Sequence, residues 1–390
     1  MLGPGVLADV PIGIQRIMLR LQNWIIHRIA QGILNYNRIT SSGEYLITTL
    51  AETDIFNRDL KKEIQNILNL SDKEINDLYN EAAQANYIYD KRAFEVNGIP
   101  FVPYADNYFV QQFARGVIEN TQGTMRNITQ SLGFAVRTQK GLQFTKVGQF
   151  YQQELDFAMS KIATGVQSFD EALKESVSRM ADNGVRYVDY STGYRDRIDV
   201  AARRAVMGGM RDLTNLQSDY NSRLTGSTVF EVSWHSGHRP SHMWGGRRFD
   251  VTGQLYPTEL QMYEKYTAPN GEQGTLDDYN CYHEKYNVFS DSLPTFSDEE
   301  LTRLEANELK LKYFEDKPYT AYQARQQQRY LERTMRRQQS VIAGLEGGEQ
   351  EEALQNAKIK FNGLVGHYRA FSDAMGIPAE LERVYTGFVA

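Results

Sequence analysis

The sequence predicts an α+β protein that is mostly helical, with a helical N-terminal region, a small central domain with short antiparallel strands, and a helical C-terminal region. Apolar residues recur at three- and four-residue steps through the first and last parts of the chain, as on one face of a helix. Short apolar runs bounded by Gly, Pro and Asn are concentrated between them. With 390 residues, 41% of them hydrophobic, each part can bury a core of its own. We place the three regions at 1–133, 134–294 and 295–390.

The N-terminal region is expected to be a helical array. Its first helix, over about 10–35, is amphipathic and carries Trp24 among Ile and Leu side chains on one face. That face either packs on the next helices or docks as a helical anchor into a groove of another protein. A capping box at Ser71 and Glu74 indicates that a new helix begins there. Further helices are expected over 46–56, 60–70, 71–94 and 107–132.

The central domain is expected to combine a hairpin, helices and half-buried strands. The turn 139–141 separates two short apolar runs, as in a β-hairpin. Ser168 and Glu171 form a second capping box. Gly208 and Gly209 are expected to interrupt or bend a long helix whose first half is basic. Helices are expected over 146–163, 169–181 and 190–224, and strands over 134–137, 142–144, 228–234, 247–251 and 286–289.

The C-terminal region is expected to be helical from Ser297 onward, including helices over 319–343 and 350–374. The segment 298–316 is acidic, with seven acids against three bases. The helix that follows carries a cationic stripe formed by Arg325, Arg329, Arg333, and Arg336 or Arg337. This stripe could neutralise the phosphates of DNA without reading its sequence. We favour pairing with the acidic segment instead, because the two helices are adjacent and opposite in sign.

The overall composition excludes several classes of protein. A formal net charge of −6 gives no global attraction to nucleic acid or to anionic lipid, so such a contact would need a local patch. The only cysteine cannot form an intramolecular disulfide. The sequence shows no N-terminal leader pattern and no apolar run close to eighteen residues. We therefore expect a soluble protein that is made in a reducing cytoplasm and has no membrane partner.

The segment 235–249 concentrates the chemistry of the chain, because it reads HSGHRPSHMWGGRRF and holds three of the six histidines. A second segment with similar chemistry follows later in the chain: residues 280–283, NCYH, which hold the only cysteine. Five side chains are candidate Zn²⁺ ligands: His235, His238, His242, Cys281 and His283. Their spacing is not that of a standard zinc finger, so we favour a hydrogen-bonded knot that holds a loop-rich domain together without a cofactor. Bound zinc is the alternative.

Covalent catalysis is a weaker interpretation of the same residues. Cys281 and His283 lie two positions apart, so on an extended strand they stand about 7 Å from each other, too far for a thiolate–imidazole pair. Cys281 could face His235 or His242 from the other segment, but the sequence offers no candidate oxyanion hole. A nuclease or ADP-ribosyl-transferring toxin is also disfavoured, because no additional effector domain accompanies the cluster.

The order strand, H-x-x-H-R-P-S-H-x-W-x-G, loop, N-C-x-H resembles the phage minor capsid protein 2 family and, more distantly, the Mu F-like head morphogenesis proteins. The residues that carry this resemblance are Arg239, His242, Trp244, Gly246, Asn280, Cys281 and His283. His235 and His238 match the first family only. The arginine-rich stretches around 199–206 and 322–337 also fit it. One departure is Tyr282, which stands where the family usually has Arg and can offer only a hydrogen bond and stacking.

The resemblance implies a structural protein of a tailed-phage virion rather than an enzyme. It implies few copies near the portal, contact with portal and other capsid proteins, and a role in head assembly, genome packaging or ejection. Synthesis would take place in the host cytoplasm. The alternative from another class is a metal-dependent hydrolase or a nucleic-acid-modifying effector that uses the His/Arg/Cys cluster.

Overall fold

The computed structural model describes residues 10–35, 42–138, 141–189, 193, 195–268, 270–276, 278 and 281–386. It is 66% helical and its small sheets are antiparallel, which confirms the predicted mostly helical α+β class. The helices are α1 (Ile12–Asn35), α2 (Ser42–Tyr89), α3 (Lys91–Val96), α4 (Tyr108–Gln130), α5 (Val147–Ala163), α6 (Phe169–Asn183), α7 (Ile198–Thr225), α8 (Glu259–Lys265), α9 (Asp298–Glu308), α10 (Ala321–Gly347) and α11 (Glu351–Met375). No helix among the described residues is long and apolar enough to span a bilayer.

Short strands form three antiparallel sheets. Their bounds are β1 (Leu132–Thr138), β2 (Gly141–Lys146), β3 (Arg186–Val188), β4 (Arg195–Arg197), β5 (Val229–Val232), β6 (Arg248–Asp250), β7 (Lys285–Asn287), β8 (Lys312–Phe314) and β9 (Lys317–Tyr319). The sheet orders are β2-β1-β3-β4, β6-β5-β7 and β8-β9. The hairpin expected around 139–141 is confirmed as β1–β2, and β5, β6 and β7 confirm the three strands expected after it. The β5 strand is buried at every position rather than half-buried, since it is the central strand of its sheet.

The first long helices differ from the expected pattern of short ones. A single helix, α2, spans the region where three helices were predicted, so the helix start at Ser71 is wrong. Ser71 is fully buried within the helix rather than capping one. Glu74 points toward α1, since a Cβ on Gly13 would lie 1.9 Å from its carboxylate. Packing against α1 and α4 therefore overrides the local capping signal.

The basic helix α7 begins later than predicted because β4 occupies 195–197. It runs through Gly208 and Gly209 without the predicted interruption. A Cβ on Gly209 would lie 2.2 Å from the hydroxyl of Tyr79, which donates a 2.9 Å hydrogen bond to the carbonyl of Val206. Gly209 thus permits close packing between α2 and α7.

The C-terminal region contains a β-hairpin, β8–β9, where only helix was expected. Glu315 and Asp316 form its turn with positive φ angles of 49° and 61°. Two left-handed residues match the twist of a hairpin, but the usual Asn-Gly signal is missing from this turn. The predicted helices over 319–343 and 350–374 are confirmed as α10 and α11.

The main hydrophobic core joins the two ends of the chain. Its buried residues run from Val10 to Ala357 and include the apolar face of α1. The amphipathic face that carries Trp24 therefore packs inside the molecule, and the anchor interpretation of this face is wrong. The boundaries at 133/134 and 294/295 remain a prediction, although this core crosses both.

Candidate metal and structural site

The His-rich segment and the Cys-containing segment are joined through the β6-β5-β7 sheet. β5 leads into a turn that contains a short 3₁₀ helix, Pro240–His242, and β6 returns from it. The Cys281 segment enters β7 beside β5, where Ser233 and Glu284 exchange hydrogen bonds of 2.8 and 2.9 Å. The sheet therefore brings together two segments that are distant in sequence.

Three predicted site residues converge at the centre of this domain. The Sγ atom of Cys281 lies 3.7 Å from Nδ1 of His242 and 3.5 Å from Nδ1 of His283. All three side chains are buried. One ligand atom from each lies within 4.8 Å of the others. The prediction that Cys281 and His283 stand too far apart to interact is wrong. It assumed an extended strand, and this segment is not a regular strand at the cysteine.

The two imidazole rings are held by close packing on Trp244. Trp244 is fully buried, and its ring centroid lies 4.8 Å from the centroids of both His242 and His283. Its indole Nε1 donates a 3.0 Å hydrogen bond to the carbonyl of Gly274. A Cβ on Gly274 would lie 2.4 Å from the His242 ring, and one on Gly245 would lie 2.8 Å from Nε2 of His283. Both glycines therefore leave room for the rings.

Asp278 fixes the orientation and the tautomer of His242. Its Oδ2 lies 3.1 Å from Nε2 of His242, and Thr275 donates to its other oxygen at 3.2 Å. Because a carboxylate only accepts, Nε2 carries the proton and Nδ1 presents a lone pair toward the thiol. Sequence reasoning missed Asp278, whose only signal is that it is an acid three positions before the cysteine.

Burial sets the protonation states of the cluster. It lowers the pKa of His283 well below the usual value, and it lowers the pKa of His242 although the hydrogen bond to Asp278 opposes this. It also raises the pKa of the Cys281 thiol to about 11. At neutral pH and without a cation, the cluster therefore consists of a protonated thiol and two uncharged rings.

The other two predicted ligands are placed differently. Burial lowers the pKa of His235 to about 4, and its ring centroid lies 4.4 Å from that of His283. His238 lies farther out, with Nδ1 at 2.9 Å from the carbonyl of Arg239 and Nε2 at 3.4 Å from Oε1 of Glu305. Burial lowers the pKa of His238, but the hydrogen bond and charge of Glu305 outweigh it and raise the pKa.

The acidic helix α9 contacts the His-rich segment, and this contact was also missed. Besides the contact of Glu305 with His238, Glu308 accepts hydrogen bonds of 2.6 Å from the Ser236 hydroxyl and the Gly237 amide. Asp298 at the start of α9 pairs with Arg247. These carboxylates therefore stabilise the central domain.

The remaining motif residues support the surroundings of the cluster. Arg239 Nη1 lies 3.9 Å from Asp278, a long ion pair at a partly exposed position. Gly246 has a φ of +77°, and a Cβ there would lie 2.6 Å from Leu301 of α9. Arg203 of α7 donates to the hydroxyl of Tyr282, so an arginine at position 282 would face another guanidinium. Asn280 lies outside the described residues.

An open cavity of about 970 Å³ lies beside the cluster. His242 and Cys281 line it, together with side chains from α7 and α10. The lining includes eight arginines against three carboxylates. This excess of positive charge favours anions over cations in the cavity.

The arginine stripe of α10 is mostly turned toward carboxylates inside the molecule. The ion pairs join Arg325 and Arg329 to Glu380, Arg329 and Arg336 to Glu332, Arg336 to Asp199, and Arg337 to Asp182. Arg333 is exposed and lies over the ring of Tyr330. The arginines pair within the molecule, but the predicted pairing with the acidic segment 298–316 is wrong. The first helix of that segment, α9, contacts the His-rich segment instead.

The fold and site define a mostly helical α+β protein whose small sheet domain contains a buried His/Cys cluster. The chain belongs to the phage minor capsid protein 2 family, whose model matches residues 2–372. No curated protein and no solved structure matches it. The family expected from the motif is therefore confirmed, and the chain is a structural minor capsid protein of a phage virion. Membership of a structural family also favours a role without catalysis.

Proposed function

We propose that this minor capsid protein is bound near the portal of a tailed phage and assists head assembly, genome packaging or ejection. The family match over residues 2–372 is the observation that carries the proposal. The packing of the central domain fits a structural role, because the motif residues Trp244, His242 and His283 form an interlocked, buried unit. Portal and coat subunits are the proposed partners.

Crosslinking mass spectrometry on purified particles tests this position. We expect the chain at a fixed, low ratio to the coat protein, with crosslinks to the portal. The exposed Lys265 of α8 would report contacts of the central domain. Recovery of the chain only in the soluble lysate, or crosslinks only to coat subunits remote from the portal, would contradict the proposal.

The enzyme alternative makes a different prediction for the same cluster. A thiol whose pKa is raised to about 11 is a poor nucleophile at neutral pH. We expect His242→Ala to change the stability of the domain and not to abolish a turnover reaction. Hydrolysis of a nucleic acid or peptide by the purified chain, lost in a folded His242→Ala variant, would favour the enzyme.

Packaged DNA is a further proposed partner, in contact without sequence preference. The excess of arginines in the cavity and the exposed Arg333 favour phosphate contact. Binding to random duplex DNA should weaken as salt is raised, and Arg333→Gln should reduce the dependence on salt. Arg303→Gln, an exposed change on α9, is the matched control. Equal binding by both variants would remove DNA from the proposal.

A further inference from the structure

We propose that His242, Cys281 and His283 form a binding site for one Zn²⁺ ion, with Nδ1, Sγ and Nδ1 as the three protein ligands. Solvent would take the fourth position, since His242 and Cys281 also line the open cavity. This site is independent of portal binding, so either proposal can fail alone.

The two sulfur–nitrogen distances of the cluster match those around a tetrahedral zinc ion. Zn–S bonds of about 2.3 Å and Zn–N bonds of about 2.0 Å at a tetrahedral angle place S and N about 3.5 Å apart. The Cys281 sulfur lies 3.7 Å from the His242 nitrogen and 3.5 Å from the His283 nitrogen. A thiol with two imidazole ligands is also a donor set that zinc prefers.

One arrangement of protons satisfies the three facing atoms of the cluster without a cation. The proton of His242 is on Nε2, so its Nδ1 offers a lone pair to the thiol. The Cys281 thiol then donates to this nitrogen, while His283, protonated on Nδ1, donates to the sulfur. A cation that binds all three atoms would replace these two shared protons, and it would hold the sulfur as a thiolate.

The surroundings resemble the outer shell of a metal site. Asp278 accepts a hydrogen bond from Nε2 of His242, as carboxylates commonly do behind histidine ligands. The thiolate and this carboxylate would supply two negative charges beside the dication. Gly245 and Gly274 allow the two rings to approach, because a Cβ on either would overlap a ring. The outer histidine His238 is already held by Arg239 and Glu305 and is not part of the ligand set.

Zinc titration of the full chain, without a histidine tag and stripped of metal, tests the site. We expect about one tightly bound zinc per chain. Cys281→Ser keeps the size of the side chain but removes the sulfur ligand, so it should reduce zinc affinity at least tenfold. His367→Ala, a half-exposed histidine on α11, should bind zinc as the unchanged chain does. Equal zinc affinity for Cys281→Ser and the unchanged chain overturns the proposal.

Two further measurements keep the result decisive if Cys281→Ser does not fold. Cobalt bound at this site should give a thiolate-to-metal charge-transfer band in the unchanged chain, and cobalt without that band contradicts a sulfur ligand. Zinc should also raise the melting midpoint above that measured in chelator, since binding to the folded state stabilises it. An unchanged midpoint with substoichiometric zinc would show that the cluster is a knot without metal.

Discussion

Gly245 and Gly274 set how closely the backbone approaches the two histidine rings of the site. Gly274→Ala should destabilise the fold by about 1–3 kcal/mol, because its Cβ would lie 2.4 Å from the His242 ring. Gly245→Ala should also destabilise the fold, because its Cβ would lie 2.8 Å from Nε2 of His283. Urea unfolding at an unchanged slope measures both losses.

The control for these substitutions is a glycine with open space around it. A Cβ on Gly116 in α4 or on Gly363 in α11 would meet nothing within 4 Å. Alanine at either position should stabilise the fold by about 0.5–1 kcal/mol, since it restricts the unfolded chain and favours helix. A Gly274→Ala variant as stable as these controls would contradict the packing described for the site.

Asp90 should make stability depend on pH between about 4 and 6. Burial raises the pKa of this carboxyl from 3.8 to about 6, against a 2.6 Å hydrogen bond from Asn221. The folded state thus holds its proton more tightly than the unfolded state, so stability falls as pH rises through this range. Asp90→Asn should remove this loss of stability with rising pH. The loss in the unchanged chain is at most about 3 kcal/mol, at about 1.4 kcal/mol per pKa unit. Equal pH profiles for both chains in urea unfolding would count against this role.

At the residue scale, the sequence predicted which side chains gather but not what holds them. The motif residues His242, Cys281 and His283 meet as expected, because flanking strands of one sheet bring their segments together. Asp278 and Glu305 were not predicted as partners. Surface acids are common, and only the tertiary placement of a loop and of α9 shows which ring each one reaches.

At the element scale, α10 is organised around one buried acid. Glu332 has a fully buried side chain that contacts Arg329, Arg336 and the hydroxyl of Tyr368. Glu332→Gln should cost about 3–5 kcal/mol, because it removes the charge that two guanidinium groups face. Denaturant unfolding measures the loss.

The matched control for Glu332→Gln is Arg333→Gln, one position along the same helix and exposed. It should change the free energy of unfolding by no more than about 0.5 kcal/mol. If the two substitutions had equal effects, α10 would not depend on its internal ion pairs. The cationic stripe would then be a solvated face, as it appears in the sequence alone.

Elements were predicted where a local signal coincides with packing. The capping box at Ser168 and Glu171 begins α6 as expected, with a hydrogen bond of 2.9 Å from the Ser168 amide to Glu171. The same pattern at Ser71 does not begin a helix, because a long helix tolerates one buried serine and α2 continues through it. The β8–β9 turn was missed because Glu315 and Asp316 adopt the φ angles that glycine usually provides.

At the scale of the whole molecule, α1 and α10 are packed closely although they come from opposite ends of the chain. A Cβ on Gly347 would lie 2.3 Å from the carbonyl oxygen of His27, and one on Gly344 would lie 3.1 Å from Ile26. Such contact leaves little room between the helices, and Ile26 is fully buried there. The N-terminal and C-terminal regions should therefore lose stability together.

Hydrogen exchange of Ile26→Ala tests this coupling. Truncating a fully buried isoleucine should cost about 2–5 kcal/mol, and amide exchange should become faster in α10 as well as in α1. Ile359→Ala, at an exposed position of α11, should leave both helices protected. Faster exchange confined to α1 would mean that the N-terminal region is a separate unit, as the boundary at 133/134 predicts. Faster exchange in both helices would instead show that the two ends of the chain unfold as one cooperative unit.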